Sequence, residues 1–255
     1  MKPESSNYIL SSLSDALDVL DLLNENDGLS LTGICTALGV SKAKAFRLLY
    51  TLSDKGYIVK TADMKYRLSY KFVRFGSNVL SRTDLITVCR PHMQTLRDAV
   101  NEMVHLTVLD ENGSGVFLHK EHSTRMFQTM SRVGFSRSAY QLGTGKVLLA
   151  YLPEEKQKAF AESYTYEKLT PNTISSADEL LRELRTVKEQ GYALDNEESE
   201  PGLECVAAPV FDGSGACVAA ISISGSVSSV KPNIESLLPQ LLGCTAACSR
   251  ELGAF

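Results

Sequence analysis

The 255-residue chain contains no tryptophan, and its six cysteines include no C-x-x-C pair. Zinc sites are usually built from cysteine and histidine at such close spacings, so we expect no metal and no other cofactor. No apolar run approaches the roughly 18 residues of a membrane-spanning helix, and the opening stretch MKPESSNYILSSLSDAL lacks the apolar block of a secretory signal. Scattered, unpaired cysteines fit reduced thiols, so we expect a cytoplasmic protein with no membrane partner.

Sequence motifs typical of an enzyme are also missing. The stretch GTGK at 143–146 resembles part of a phosphate-binding loop, but Tyr140 and Val147 stand where that pattern requires Gly and Ser or Thr. Cys205 could act as a nucleophile, yet none of the four histidines lies in the local sequence of a known cysteine enzyme. A small buried residue at a strand start is the simpler interpretation of Cys205. We therefore predict that the protein is not an enzyme.

Charge is distributed unevenly along the chain. The formal net charge is −4, but residues 41–74 contain nine Lys or Arg against two Asp, a net of +7. The other 221 residues therefore carry −11. This division predicts that one region binds a polyanion, with an ordinary solvated basic face as the alternative.

Within this basic region, residues 41–53 match an amphipathic helix with a period of 3.6 residues. Its apolar side consists of Ala45, Leu48, Leu49 and Leu52. Ser41 suits the N-cap, and Gly56 follows closely enough to end the helix. Upstream, SLTGICTALGV predicts a shorter helix and a tight turn into Ser41. The pair predicts a helix-turn-helix, although an ordinary helical hairpin has the same pattern.

The flanking segments complete a winged-helix pattern. GYIVKTADMKYRLS alternates with period 2 around TADM, which predicts a basic hairpin. Its predicted inward residues are Tyr57, Val59, Tyr66 and Leu68. An earlier helix, with the stripe Leu13, Leu17, Leu20 and Leu23, would complete a three-helix core. We predict that this domain binds double-stranded DNA through Ser41, Lys42, Ala43, Lys44, Phe46, Arg47, Tyr50, Lys65 and Arg67.

The rest of the chain predicts an α+β domain. Residues 72–90 have a helical pattern that we interpret as a linker helix, which Pro91 would end and restart as a second helix. Beyond it, MVHLTVLDENGSGVFLHKE and CVAAPVFDGSGACVAAISISG each predict a β-hairpin. Between the hairpins, Ser176 and Glu179 predict a capping box and Gly191 a helix end. Antiparallel hairpins flanked by helices are typical of the α+β class.

Several of these stretches resemble the IclR family of bacterial transcriptional regulators. They include SLSDALDVLDLL, LSLTGICTALGVSKAKAFRLLYTLSDKGYI, RPHMQTLRDAVNEMVHLTVLD, GTGKVLLAYLPEE, VKEQGYALDNEE and AAISISG, and they cover essentially the whole chain in order. The resemblance implies two domains: an N-terminal winged helix-turn-helix (mainly α with a small β wing) at 6–71 and a C-terminal α+β, GAF-like effector-binding domain at 93–255. A linker helix at 72–92 would join them. It also implies a homodimer or a dimer of dimers that represses a catabolic operon and responds to a small carboxylic acid, such as a sugar acid or keto acid.

The resemblance also assigns the effector pocket to the positions Gly143, Thr144, Asp195, Leu203, Cys205, Ser222 and Ser224. Helix-start amides and the two serine hydroxyls, which share one strand face, suit a carboxylate. Asp195 would accept a hydrogen bond from an effector hydroxyl. The residues alone favour a plain helix start at Gly143 and also allow serines that face solvent.

The chain departs from common members of the family at several positions. Ala43 and Phe46 stand where Ser and His are frequent, Glu204 where Arg is frequent, and Tyr140 where His is frequent. Base preference and effector identity therefore cannot be transferred. Two other functions stay open: an enzyme of small-acid metabolism with a regulatory N-terminal domain, and an architectural DNA-binding protein without a ligand.

Overall fold

Two groups of elements make up the chain, and they divide between Arg82 and Thr83. The computed structural model describes residues 9–26, 28–80, 84–129 and 131–254. Residues 6–8 of the predicted first domain and residues 81–83 of the predicted linker lie outside these ranges. None of the helices in the described ranges is long and apolar enough to cross a membrane.

The first unit is mainly helical with a three-stranded antiparallel sheet in the order β1-β3-β2. In chain order, its elements are α1 (Ser11–Glu25), β1 (Leu29–Ser30), α2 (Leu31–Leu38), α3 (Lys42–Asp54), β2 (Ile58–Lys60), β3 (Lys65–Leu68) and α4 (Lys71–Leu80). Helices α2 and α3 meet at Gly39, whose φ of 64° is left-handed and favours glycine. The predicted helix-turn-helix and the hairpin that follows it are confirmed.

The predicted ends of α3 are also confirmed. The Ser41 hydroxyl accepts a hydrogen bond from the Lys44 amide at 3.3 Å, which satisfies one of the free amides of the first turn. At the other end, the Gly56 amide donates to the Ser53 carbonyl and the Tyr57 amide donates to the Leu52 carbonyl. This pair of bonds is the Schellman arrangement, and the left-handed Gly56 makes it possible.

The predicted apolar stripe of α1 is wrong in its first half. Leu13 and Leu17 are 55% and 52% exposed, whereas Val19 and Leu23 are buried in the three-helix core. Ala16 and Leu20 pack beside them, which gives a stripe with the usual spacings of three and four residues. Both stripes exist in this leucine-rich helix, and contact with the other elements of the unit selects the one that begins at Ala16.

The predicted alternation of the wing is correct in β3 and wrong in β2. Tyr66 is buried in β3, while Lys65 and Arg67 are exposed, as predicted. In β2, Ile58 is buried and Val59 is 39% exposed. The reason is the register, because Ile58 pairs with Leu68 on the inner face and Val59 pairs with Arg67 on the outer face.

The second unit contains a six-stranded antiparallel sheet in the order β6-β5-β4-β9-β8-β7. Its helices are α5 (Leu85–Val100), α6 (Gly143–Ala150), α7 (Glu154–Ser163), α8 (Ala177–Gln190), α9 (Val227–Val230) and α10 (Ile234–Glu251). Its strands are β4 (Met103–Leu109), β5 (Ser114–Glu121), β6 (Ser136–Ser138), β7 (Ala193–Asn196), β8 (Leu203–Phe211) and β9 (Cys217–Ser226). Both predicted hairpins, β4–β5 and β8–β9, are confirmed.

The two faces of this sheet carry different side chains. One face presents large apolar residues such as Val206, Ile221 and Ile223, which pack with residues of α5 and α10. The other face presents small residues such as Ala207 and Ala220, which pack with residues of α6 and α8. The unit is therefore an α+β structure with a helical layer on each side of the sheet.

Two predictions about helix ends in this unit need correction. Pro91 does not divide two helices but lies inside α5, where a missing amide usually costs about 3 kcal/mol. Burial of Cys89, Met93 and Leu96 on the same helix offsets this cost. At α8, the Ser176 hydroxyl caps the Glu179 amide as predicted. The Glu179 carboxylate, however, accepts from the amide of Ser175 rather than from that of Ser176.

Candidate functional site

The basic surface of the first unit is formed by α3 and the wing. All nine residues predicted to contact DNA are exposed: Ser41, Lys42, Ala43, Lys44, Phe46, Arg47, Tyr50, Lys65 and Arg67. The apolar side of α3, in contrast, is buried in the core of the unit. The helix thus presents its basic side outward, in the way that a recognition helix is presented to a DNA groove.

The cations of this surface differ in how strongly protein carboxylates neutralise them. Lys44 forms an ion pair with Asp15 of α1 at 2.6 Å, and Lys65 lies 3.4 Å from Asp63. Among the described residues, no carboxylate lies within 4.0 Å of Lys42, Arg47 or Arg67. These three cations are available to an external anion without first breaking a protein contact.

Two aromatic side chains accompany the cations on α3. Phe46 and Tyr50 are 55% and 68% exposed, and their ring centroids lie 6.4 Å apart. Phe46 is therefore not a core residue of its unit. An exposed apolar ring beside Arg47 is suited to contact with a thymine methyl group in a major groove.

The small-residue face of the large sheet leaves a cavity of about 400 Å³, which we call the sheet cavity. Aligned positions on neighbouring strands bring its polar residues together, since Asp195 of β7 pairs with Cys205 of β8, and Cys205 pairs with Ser224 of β9. One register step away, Ser222 pairs with His105 of β4. Every predicted effector residue lines this cavity: Gly143, Thr144, Asp195, Leu203, Cys205, Ser222 and Ser224.

One wall of the sheet cavity is rich in uncharged hydrogen-bond donors. The Ser222 and Ser224 hydroxyls lie 3.2 Å apart, and both residues are buried. Helix α6 begins beside them at Gly143, and its N-cap residue, Leu142, offers no side-chain acceptor to the first-turn amides. Such donors, at the positive end of a helix, suit a carboxylate.

Asp195 lines the same cavity, but its carboxylate is already engaged by the protein. One oxygen accepts from the amides of Glu198 and Ser199 at 2.8 and 3.3 Å, and the other accepts from the Ser199 hydroxyl at 2.6 Å. Burial raises the pKa of Asp195, although these hydrogen bonds oppose the shift. Asp195 therefore shapes the segment that follows β7 as well as bordering the cavity.

Comparison with known proteins covers both units. Residues 12–62 match the IclR helix-turn-helix domain, and residues 77–250 match the domain described as bacterial transcriptional regulator IclR C-terminal. The chain belongs to the IclR family. This agrees with the winged-helix surface and the α+β unit described above.

Individual members of the IclR family match over most of the chain. The HTH-type transcriptional regulator KdgR of Escherichia coli is 36% identical over 84% of this chain and 82% of its own length. The HTH-type transcriptional regulator XynR of E. coli is also 36% identical, over 96% of this chain and 98% of its own length. The crystal structure of the Agobacterium tumefaciens repressor BlcR has a TM-score of 0.80 at 26% identity, covering 96% of this chain and 98% of that one.

Membership of the IclR family makes this protein a DNA-binding transcriptional regulator, since the matched families and relatives are regulators and not enzymes. The local chemistry of two residues agrees. Burial raises the pKa of the Cys205 thiol well above its usual value, which disfavours the nucleophilic thiolate. Lys146 of GTGK does not face a phosphate site but is buried between Glu183 and Glu198, with its Nζ at 2.9 and 2.7 Å from their carboxylates.

Sequence reasoning missed a second group of cavity residues. They lie on β4, β5 and β6 and on the irregular connection between β5 and β6, which we call the crossing segment (residues 122–129 and 131–135). They are His105, Phe117, Thr129, Ser131, Arg132, Phe135 and Arg137. The crossing segment has no period of 2 or 3.6 that would have indicated its position.

A partly buried hydrogen-bond cluster holds the crossing segment to the sheet. The Lys120 ammonium donates to the carbonyls of Thr129 and Ser131, both at 3.1 Å. The Ser131 hydroxyl lies 2.8 Å from His105 Nε2. Burial, together with the charge on Lys120, lowers the pKa of His105 to about 3, so this imidazole is neutral in the cell.

Arg137 joins the two edges of the large sheet. It lies on the edge strand β6, and its Nη1 donates to the Ser199 carbonyl at 3.0 Å, just beyond the opposite edge strand β7. A hydrogen bond between residues next to opposite edges requires the sheet to curl, and both residues of this bond line the sheet cavity. Because Ser199 also binds Asp195, the contact extends to the predicted effector residues.

Proposed function

We propose that this regulator represses a catabolic operon and is released from its operator, or retained on it, by a small carboxylic acid bound in the sheet cavity. A sugar acid or keto acid is the expected effector. Support comes mainly from one observation: the positions assigned to an effector by family resemblance all border a single cavity in the second unit. A purely architectural DNA-binding protein has no need for such a cavity.

The proposed DNA contacts are the nine exposed residues of α3 and the wing. Operator binding by each protomer to one half-site, in a homodimer or a dimer of dimers, would match the symmetry common to such regulators. The name of BlcR describes a repressor, and we extend that direction of control to this chain. Because its partner is bacterial DNA, the proposed regulator works in the cytoplasm.

The proposed architecture has a GAF-like second domain joined through a linker helix. The curled antiparallel sheet with helices on both faces supports a GAF-like second domain. Helical structure at 71–80 and again from residue 85 supports a linker helix. An effector can alter DNA binding through such a linker only if it has different affinities for two arrangements of the protein.

The effector is first sought by melting the full-length protein with a panel of small acids. A ligand that binds the folded state stabilises it by mass action and so raises the melting midpoint. At a ligand concentration of 100 Kd, the gain in unfolding free energy is about 2.7 kcal/mol. A panel of sugar acids and keto acids that produced no shift at millimolar concentration would contradict the proposal. The architectural alternative would then be preferred.

Replacing both cavity serines tests where the effector binds. Ser222→Ala with Ser224→Ala removes two hydroxyl donors, each worth roughly 1.5–3 kcal/mol to a charged acceptor. We expect effector affinity to fall at least about tenfold in a DNA-shift titration, while DNA binding without effector persists.

The same chain supplies a matched control for the serine pair. Ser226 and Ser228 also have hydroxyls in contact, at 3.1 Å, but they lie outside the sheet cavity. Ser226→Ala with Ser228→Ala should leave the effector midpoint unchanged. Equal midpoints for both double variants and the parent protein would mean that the cavity serines do not contact the effector.

A further inference from the structure

Two arginines line the sheet cavity from elements other than the serine strand β9. Arg137 lies on β6, which is three strands from β9 in the sheet order, and Arg132 lies on the crossing segment. Arg137 is half-buried and uses Nη1 for the Ser199 carbonyl. A guanidinium has five N–H donors, so most of the donors of Arg137 are left for another acceptor.

Neither arginine forms an ion pair within the part of the chain that the structure describes. Among the described residues, no carboxylate oxygen lies within 4.0 Å of either guanidinium. The neighbouring aromatic ring of Phe135, with its centroid 5.6 Å from the Arg137 guanidinium carbon, supplies a weak cation–π contact instead. A half-buried cation beside a cavity is stabilised when an anion enters that cavity.

The other ionisable groups bordering the cavity do not provide that anion. The Asp195 carboxylate is bound to the amides and hydroxyl of its own loop, and Glu200 is exposed at the rim. His105 is neutral. The cavity lining therefore combines uncharged donors with two guanidiniums that no described carboxylate contacts.

We infer that Arg132 and Arg137 form a second anion subsite and that the effector is a dianion. One carboxylate would bind at the serines and the start of α6, as proposed above. The second anionic group, a carboxylate or a phosphate, binds the two guanidiniums, for which arginine's planar fork is well suited. This inference rests on the proposed effector function and narrows it to dicarboxylic or phosphorylated acids.

Binding of matched acids to the full-length protein tests the inference. Calorimetric titration compares acids that differ only at the distal carbon: butyrate with succinate, hexanoate with adipate, and D-gluconate with D-glucarate. Adding 6-phosphogluconate distinguishes a phosphate from a carboxylate at the second subsite. In at least one pair we expect the dianion to bind about tenfold more tightly or better.

Variants of the two arginines assign the preference to this subsite. Arg132→Met and Arg137→Met should each lower dianion affinity about tenfold and leave the matched monoanion within about twofold. Arg185→Met, an exposed position on α8, is the control and should change neither. Arg132 is exposed and makes no ion pair with the described residues, so Arg132→Met tests the subsite even if loss of the Arg137–Ser199 contact disturbs the fold.

The inference would be overturned if every dianion bound equally to or more weakly than its matched monoanion, or if no dianion of the panel bound. It would also be overturned if the arginine variants lowered the affinities for dianion and monoanion equally. A dianion whose binding is lost in the serine double variant but retained in both arginine variants would also overturn it. That last result would leave the proposed effector function intact.

Discussion

Lys146 gives the sharpest test of what holds the cavity wall in place. This residue is 1% exposed, and its ammonium donates to both oxygens of Glu198 at 2.7 and 2.9 Å and to Glu183 at 2.9 Å. Glu198 lies between Asp195 and Ser199 in the segment that borders the sheet cavity. Lys146→Met keeps most of the side-chain volume but leaves the Glu198 carboxylate, whose side chain is 11% exposed, without its cation.

The expected cost is about 3 kcal/mol of unfolding free energy, the lower end of the range for breaking a buried ion pair. The lower end applies because the Glu183 side chain is 33% exposed and can be solvated. For a unit of this size, about 3 kcal/mol corresponds to a fall of roughly 6–12 °C in the melting midpoint. Calorimetry of the full chain measures it, with the exposed Lys158→Met on α7 as the control.

The loss of unfolding free energy in Lys146→Met should depend on pH in a defined direction. Burial raises the pKa of Glu198 even with Lys146 present, and removal of the ammonium raises it further. A carboxyl group whose folded pKa exceeds its unfolded pKa gains stability as pH falls through the folded value. Lys146→Met should therefore be most destabilised near pH 8 and partly recover near pH 5.5.

A double variant separates this explanation from simple loss of packing. Adding Glu198→Gln to Lys146→Met removes the uncompensated charge, so the pair should be less destabilised than Lys146→Met alone. A midpoint within about 2 °C of the parent, or a deficit that is the same at both pH values, would refute the reasoning.

Three further predictions concern other parts of the chain. Arg47→Ala should weaken operator binding in a DNA-shift assay by roughly 1–3 kcal/mol, concentrated at one base position, without moving the melting midpoint. Unchanged affinity for every DNA sequence would contradict the place of Arg47 on the recognition surface. Phe46→Ala should change site preference while stability stays within about 0.5 kcal/mol, and a loss of several kcal/mol would show that Phe46 is packed in the full assembly. Gly145→Ala should destabilise the protein by about 1–3 kcal/mol, because a Cβ there would lie 2.2 Å from the Ala139 carbonyl oxygen; an unchanged thermal scan would mean that α6 can shift.

Local patterns sufficed where the sequence contains strong periodicity and distinct end signals. Helix α3 is the clearest case, since Ser41, the apolar stripe and Gly56 all specify the same element. Local patterns failed where the same short sequence was compatible with two different structures. The three-residue β2 is too short for its alternation to choose between Ile58 and Val59, and only pairing with β3 selects Ile58. Pro91 predicted a helix break that packing of the surrounding helix overrides.

Part of the candidate site could also be predicted from the sequence, and part of it could not. Seven of the cavity positions followed from resemblance to the IclR family, and the strand alternation of Ser222 and Ser224 agreed with it. Arg132 and Arg137 could not be predicted, because they reach the cavity through an irregular segment and an edge strand. Their position depends on the curl of the sheet, which is a property of the assembled strands rather than of residues 131–138.

The composition of β9 explains why a cavity forms on one face only. Ile221 and Ile223 fill the space toward α5 and α10, whereas Ser222 and Ser224 face the other way and are too small to fill theirs. Buried hydroxyls reduce stability unless they are hydrogen-bonded, and these two serines lie within reach of each other. Their shared hydrogen bond and the contact of Ser224 with the Cys205 thiol leave hydroxyl acceptors unused. Because this unused capacity faces the sheet cavity, it is available to the effector proposed above.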